Sequence, residues 1–141
     1  MIGTNAADRL QATAKLASEQ GEQIDKYLQS EPDQPFVKGT ATIYRFERRF
    51  DLYELGLLRV GRAIPKAHTG RRDYTPVDAY ASLVLPRGAA PDGIRAELTQ
   101  QLAAIHVAAM ADDMPRWFAD GVGYLTAASI LGKDRQLHYW Q

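Results

Sequence analysis

The sequence has 141 residues, 45% of them hydrophobic and 24% charged, with 17 basic side chains balanced by 17 acidic ones. One domain of this size holds a single core, and so apolar and neutral a composition excludes a disordered chain and a globally basic nucleic-acid binder. There is no cysteine, which excludes disulfide scaffolds, thiolate zinc sites and cysteine nucleophiles while leaving the redox compartment open.

The first segment, Met1 to Arg9, is polar and lacks the charged-then-apolar layout of a signal peptide. A helix is expected over 5–29, with Leu10, Ala14, Ala17, Ile24, Tyr27 and Leu28 at three- and four-residue spacing and Asn5 as cap. Glu31-Pro32-Asp33-Gln34-Pro35 ends it. Residues 36–48, rich in Thr, Ile, Val, Tyr and Phe, are expected as a strand. Asp51 then caps a short helix over 52–60, and Gly61, Pro65, Gly70 and Pro76 break 63–76 into a loop or hairpin. A second strand is expected over 78–85, stopped by Pro86-Arg87-Gly88.

Two helices follow. Over 91–111, Ile94, Leu98, Leu102, Ile105 and Ala109 make an apolar stripe. Over 115–131, capped by Asp112 or Asp113, the buried face is expected to be Trp117, Gly121, Tyr124 or Leu125, Ala128 and Leu131, with Gly132 as terminator. The longest nearly apolar run, Leu102 to Ala111, is about half the ~20 residues a membrane span needs. A soluble chain without a membrane segment is expected, its compartment and oligomeric state open. The whole of 1–141 reads as one domain, complete or part of a longer chain, since Tyr139 and Trp140 stand where a finished domain usually trails off in polar residues. The fold class expected is α+β, a small mixed β-sheet packed against helices.

The last two helices carry the most chemical information. Ala96-Glu97-Leu98-Thr99-Gln100, followed by Pro115-Arg116-Trp117-Phe118-Ala119-Asp120-Gly121, resembles the paired motifs of gluzincin-type zinc metallopeptidases. In that family a His-Glu-x-x-His helix supplies two zinc ligands on one helical face and a general base between them, and a second helix supplies a third ligand. The resemblance puts Ala96 and Gln100 at the two histidine positions, Glu97 at the general base and Asp120 at the third ligand. It implies a zincin-like N-terminal subdomain with a disabled site: alanine has no donor, and glutamine offers only a neutral amide oxygen. Aspartate also pulls its oxygens back by about 1.5 Å relative to glutamate.

No catalytic residue, no metal ligand and no cofactor are therefore expected, zinc included; Glu97, Ala96, Gln100 and Asp120 are vestigial positions. Glu97 also reads as an ordinary first-turn acid, Gln100 as a helix-compatible polar residue, and Asp120 as an i,i+4 partner of Arg116. His106 reads as a core histidine, and His68 and His138 lie in a loop and a tail. Gly121 and Gly123 read as sites of close helix packing.

The function expected is that of a catalytically inactive, metallopeptidase-like module that binds a protein or peptide or serves a structural role. Peptide would add to the strand through Ala79, Tyr80, Ala81, Ser82 and Leu83, while Trp117, Leu98, Leu102 and Ile105 hold the core. Two alternatives stand beside it. One is a non-zinc hydrolase using Glu97 and Asp120 as an acid–base pair. The other is a basic-patch interaction domain over 45–72, where Arg45, Arg48, Arg49, Arg59, Arg62, Lys66, Arg71 and Arg72 interleave with aromatics. The acids Glu47, Asp51 and Glu54 within that segment weaken any phosphate field, so nucleic acid is not the expected partner.

Overall fold

A computed structural model describes residues 2–3, 7–37, 39–46, 48, 50–51, 70–74, 78–84, 91–111 and 113–132, with backbone alone for 2–3, 70–74 and 78–84. The elements are β1 (Ile2–Gly3), α1 (Ala7–Leu28), β2 (Thr40–Phe46), β3 (Gly70–Tyr74), β4 (Asp78–Val84), α2 (Pro91–Ala109) and α3 (Arg116–Leu131). The expected helix over 52–60 and the tail beyond 132 lie outside the described residues.

Helix α2 is the centre of the molecule. Every residue from Leu98 to Ala108 is buried, three turns covered on all sides. The expected stripe supplies only part of this, because its flanks (Thr99, Gln101 and His106) and the opposite face (Gln100, Ala103 and Val107) are buried too. A helix buried all round needs neighbours on each side, and the chain provides them in turn. Ile24 of α1 joins Leu98, Leu102, Ala103 and Ile105 in the main core, with Leu28, Phe36, Ile43 and Ile130 packed around it. Ala119 of α3 meets Val107 and Ala108 at the other end.

Helix α1 buries Thr13, Gln20 and Ile24 rather than the full stripe expected of it; Ala14 and Tyr27 face outward. It closes where Gln29 turns left-handed (φ 52°) and the Ser30 N–H donates to the Asp25 carbonyl at 3.0 Å, which is a Schellman-type termination. Strand β2 turns Tyr44 and Phe46 inward, their rings stacked 6.2 Å apart. Arg45 ties β2 to α1, donating from Nη1 to Thr13 Oγ1 at 2.6 Å and to the Arg9 carbonyl at 3.1 Å.

The expected fold class is corrected by this arrangement. Of the residues whose side chains are described, 71% are helical, and β2 is the lone strand among them. At the level of backbone, β2 pairs in parallel with β1 and with β4, and β4 pairs antiparallel with β3. No sheet face packed on the helices is shown, so a small mixed sheet backed by helices, zincin-like or otherwise, does not describe this body. The physical reason lies in α2: its burial on all sides makes a helix, not a sheet, the layer around which the core is organised.

The face of α3 is a second correction. Its buried residues are Ala119, Gly123, Thr126, Ala127 and Ala128, and Trp117 is 74% exposed. Both stripes have helical period, but the one of small residues turns inward because it lets two backbones approach. A Cβ on Gly123 would sit 2.8 Å from the Gln100 carbonyl oxygen and 3.0 Å from the Ala104 backbone nitrogen, whereas one on Gly121 would meet nothing within 4 Å. Pro115, rather than Asp112 or Asp113, occupies the N-cap, and its carbonyl accepts from the N–H groups of Phe118 and Ala119 at 3.0 and 3.1 Å. Gly132 (φ 86°) ends α3 as expected. No helix of the described residues is long and apolar enough to cross a membrane.

The two glycines give opposite expectations in urea unfolding. Gly123→Ala forces the backbones of α2 and α3 apart and is expected to cost about 1–3 kcal/mol despite its better helix propensity. Gly121→Ala adds a methyl group in open space and is expected to stabilise by about 0.5–1 kcal/mol. Two changes of the same sign would mean that Gly123 is not at the helix crossing.

Candidate functional site

The residues at the motif positions are distributed between the α2 core and the α2–α3 contact. Ala96 and Gln100 are buried, the Gln100 carbonyl pressed against Gly123. The side-chain oxygen of Gln100 has no hydrogen-bond partner. Glu97 is half-buried and accepts a hydrogen bond from Gln101 Nε2, one turn on, at 2.7 Å. Thr99 is fully buried, its hydroxyl 2.7 Å from the Arg95 carbonyl and 2.9 Å from Gln20 Oε1 on α1.

Asp120 is not brought to Glu97. Ala119 packs with Val107 and Ala108, and Gly123 lies against Gln100 and Ala104, so α2 and α3 run antiparallel. That register puts Asp120 level with about His106, some nine residues along α2 from Glu97, or about 13 Å at 1.5 Å per residue. A zinc ion does not fit what the motif positions offer: one has no donor, one has a neutral amide oxygen, and the carboxylate stands at a different level of the helix pair. The backbone of β4 is hydrogen-bonded on both sides, to β2 and to β3. The segment Ala79 to Leu83 therefore has no free edge for strand addition.

Of the basic segment, Arg45 is bound to α1, and Arg48 holds Asp51, with Nη2 2.9 Å from Oδ1. Positions 52–69 lie outside the described residues, and of Arg71 and Arg72 only the backbone is described.

His106 of α2 is fully buried and stacked on Phe36 with ring centroids 4.4 Å apart. Its Nδ1 lies 2.7 Å from the Phe36 carbonyl. A carbonyl only accepts, so this nitrogen carries the proton, an assignment made from its partner. Nε2 then accepts from Ser30 Oγ at 2.8 Å in the neutral ring, and Asp25 Oδ1 lies 3.3 Å from the same nitrogen. A hydroxyl on one imidazole nitrogen and an acceptor on the other is the connectivity of a nucleophile–base pair. With no ring surface exposed, the contacts here fasten the segment after α1 to the central helix. Sequence reasoning identified His106 as a core residue but not its partners, which lie 70 to 81 positions away in the chain.

The exposed side of α3 is the other feature that the sequence pattern did not reveal. Trp117 and Phe118 meet edge to face at 5.8 Å, and Leu125 is 62% exposed two turns on. Tyr27 of α1 borders this face, its hydroxyl donating to Ser129 Oγ at 3.0 Å. No known protein family, curated protein or solved structure matches the chain. The likeness to gluzincin motifs accordingly rests on the residues quoted for it.

His106→Ala removes hydrogen bonds from the Phe36 carbonyl and Ser30, together with the Phe36 stack. It is expected to lower unfolding stability by about 3–4 kcal/mol in a urea titration. A loss under about 1 kcal/mol would mean that the segment after α1 is held by something else.

Proposed function

We propose that this chain is a catalytically inactive protein-binding module whose contact surface is the outward face of α3. The single observation that carries this reading is the composition of that face. At about 100° per residue, Trp117, Phe118, Gly121 and Leu125 share one side, opposite Ala119, Gly123 and Ala127. The charged residues of α3, Arg116 and Asp120, both fall away from it. An ordinary surface helix turns its large apolar residues inward, whereas α3 buries small residues and leaves Trp117, Phe118 and Leu125 exposed. A contiguous apolar patch built on an exposed tryptophan is the usual signature of a contact site.

The state of the motif positions supports the non-catalytic half of the reading. Ala96 and Gln100 are used in packing, and Glu97 bonds within its own helix. The separation of Glu97 from Asp120 favours binding over the acid–base alternative.

Panning a random peptide library on the purified protein, with a Trp117→Ser variant as counter-selection, tests the reading. The expected outcome is a set of peptides that lose at least about tenfold in affinity on Trp117→Ser, as for a hot-spot residue, and are indifferent to Glu97→Gln and Asp120→Asn. Peptides that ignore Trp117 and depend on the two carboxylates, or that are hydrolysed, would overturn it.

A further inference from the structure

We infer that the partner for the outward face of α3 is a second copy of the chain, docked antiparallel about a two-fold axis at Gly121; this rests on the reading of that face as a contact surface. The argument is one of self-complementarity. Trp117 and Leu125 stand one turn before and one turn after Gly121, each about 6 Å along the helix axis. An isologous contact requires each patch to fit itself under a half-turn. Antiparallel docking centred on Gly121 places Trp117 of each copy opposite Leu125 of the other, twice over. It also brings the two glycines together at the crossing, where nothing else lies within 4 Å of either Cβ position. Large opposes large on both sides of a small centre, so the backbones can approach without the rings colliding.

Charge permits the same docking. Arg116 and Asp120, the charged residues of α3, lie off the face, so none of its like charges meet across the axis. The area sets the strength. Trp117 at 74% exposure, Leu125 at 62%, Tyr27 at 48% and Phe118 at 42% are the exposed large side chains on and beside the face. With about 150–250 Å² for each aromatic ring, they offer roughly 500 Å² per copy. A pair then buries at most about 1,000 Å², the lower limit for a specific interface. The geometry points to a weak, concentration-dependent dimer. A hetero-partner with a longer apolar segment is the competing occupant.

Sedimentation velocity on the full chain from about 1 to about 300 µM, the range in which so small an interface dissociates, tests the inference. The expected result is a mass rising from 15.7 kDa towards twice that value. Gly121→Glu puts a carboxylate against its own copy on the axis and is expected to abolish the rise, as is Trp117→Ser. Circular dichroism of both variants is expected to match that of the unmutated chain, since neither position is part of the core. Mixing Gly121→Glu with Gly121→Lys is expected to restore association, which a contact elsewhere on the surface would not do. A chain that stays monomeric at the highest concentration, or a dimer indifferent to Gly121→Glu, would overturn the second-copy assignment. The peptide-panning result tests the contact face independently, so failure of the dimer and failure of the binding face are distinguishable.

Discussion

A helix that runs through the middle of a small protein must have every side covered, and a polar group buried on it is costly unless it is hydrogen-bonded. Helix α2 imposes that condition here, and the path of the described chain follows from meeting it. Backbone comes close to it at Gly123, where even one added carbon would meet the Gln100 carbonyl at 2.8 Å. Its buried hydroxyl and imidazole are met from elsewhere: Thr99 by Gln20 of α1, His106 by Ser30 and the Phe36 carbonyl just after it. Burying such groups without partners costs about 1–3 kcal/mol each. The turn at Gln29 and the segment that follows are thus fixed by hydrogen bonding as much as by apolar contact.

The same condition governs which surfaces are left exposed. Around the half-buried Glu97, Ala96 and the residues from Leu98 to Ala104 are taken up in packing. What the packing leaves over is the far side of α3. Its small residues were drawn inward to meet α2, and a helix with small residues inside and large ones outside presents a hydrophobic surface. The outward aromatic face and the tight helix crossing are therefore two consequences of one sequence pattern.

Much of the helical framework was legible from periodicity and terminators. The three helices and β2 occur where they were expected, with their ends shifted by at most four residues, and Gly132 closes α3. His106 was legible as a core histidine and Gly123 as a point of close packing. The orientation of α3 was not legible. Trp117–Gly121–Leu125 and Ala119–Gly123–Ala127 have the same spacing and differ by a half-turn, so periodicity cannot choose between them. A hydrophobicity ranking chooses Trp117, while the distance of approach to α2 selects Gly123. The fold class was not legible for a related reason. The β-branched and aromatic content of 36–48 and 78–85 suggested a sheet as the main layer, while the all-round burial of α2 depends on partners far away in sequence. The bonds of His106 to Ser30 and Phe36 are of the same long-range kind, and neither residue carries a local signal for them.

Native-state hydrogen exchange along α2 tests most directly whether the motif-bearing helix is the core. The account predicts that the amides from Thr99 to Ala108 exchange only through global unfolding, with a free energy equal to that from urea titration. Exchange of the Thr99 to Ala104 amides through a local opening of lower free energy, with the rest of the helix still protected, would contradict it. Such an opening would mean that the α2–α3 contact at Gly123 parts as a cleft does, and that the helix at the centre of this description is not its fixed point.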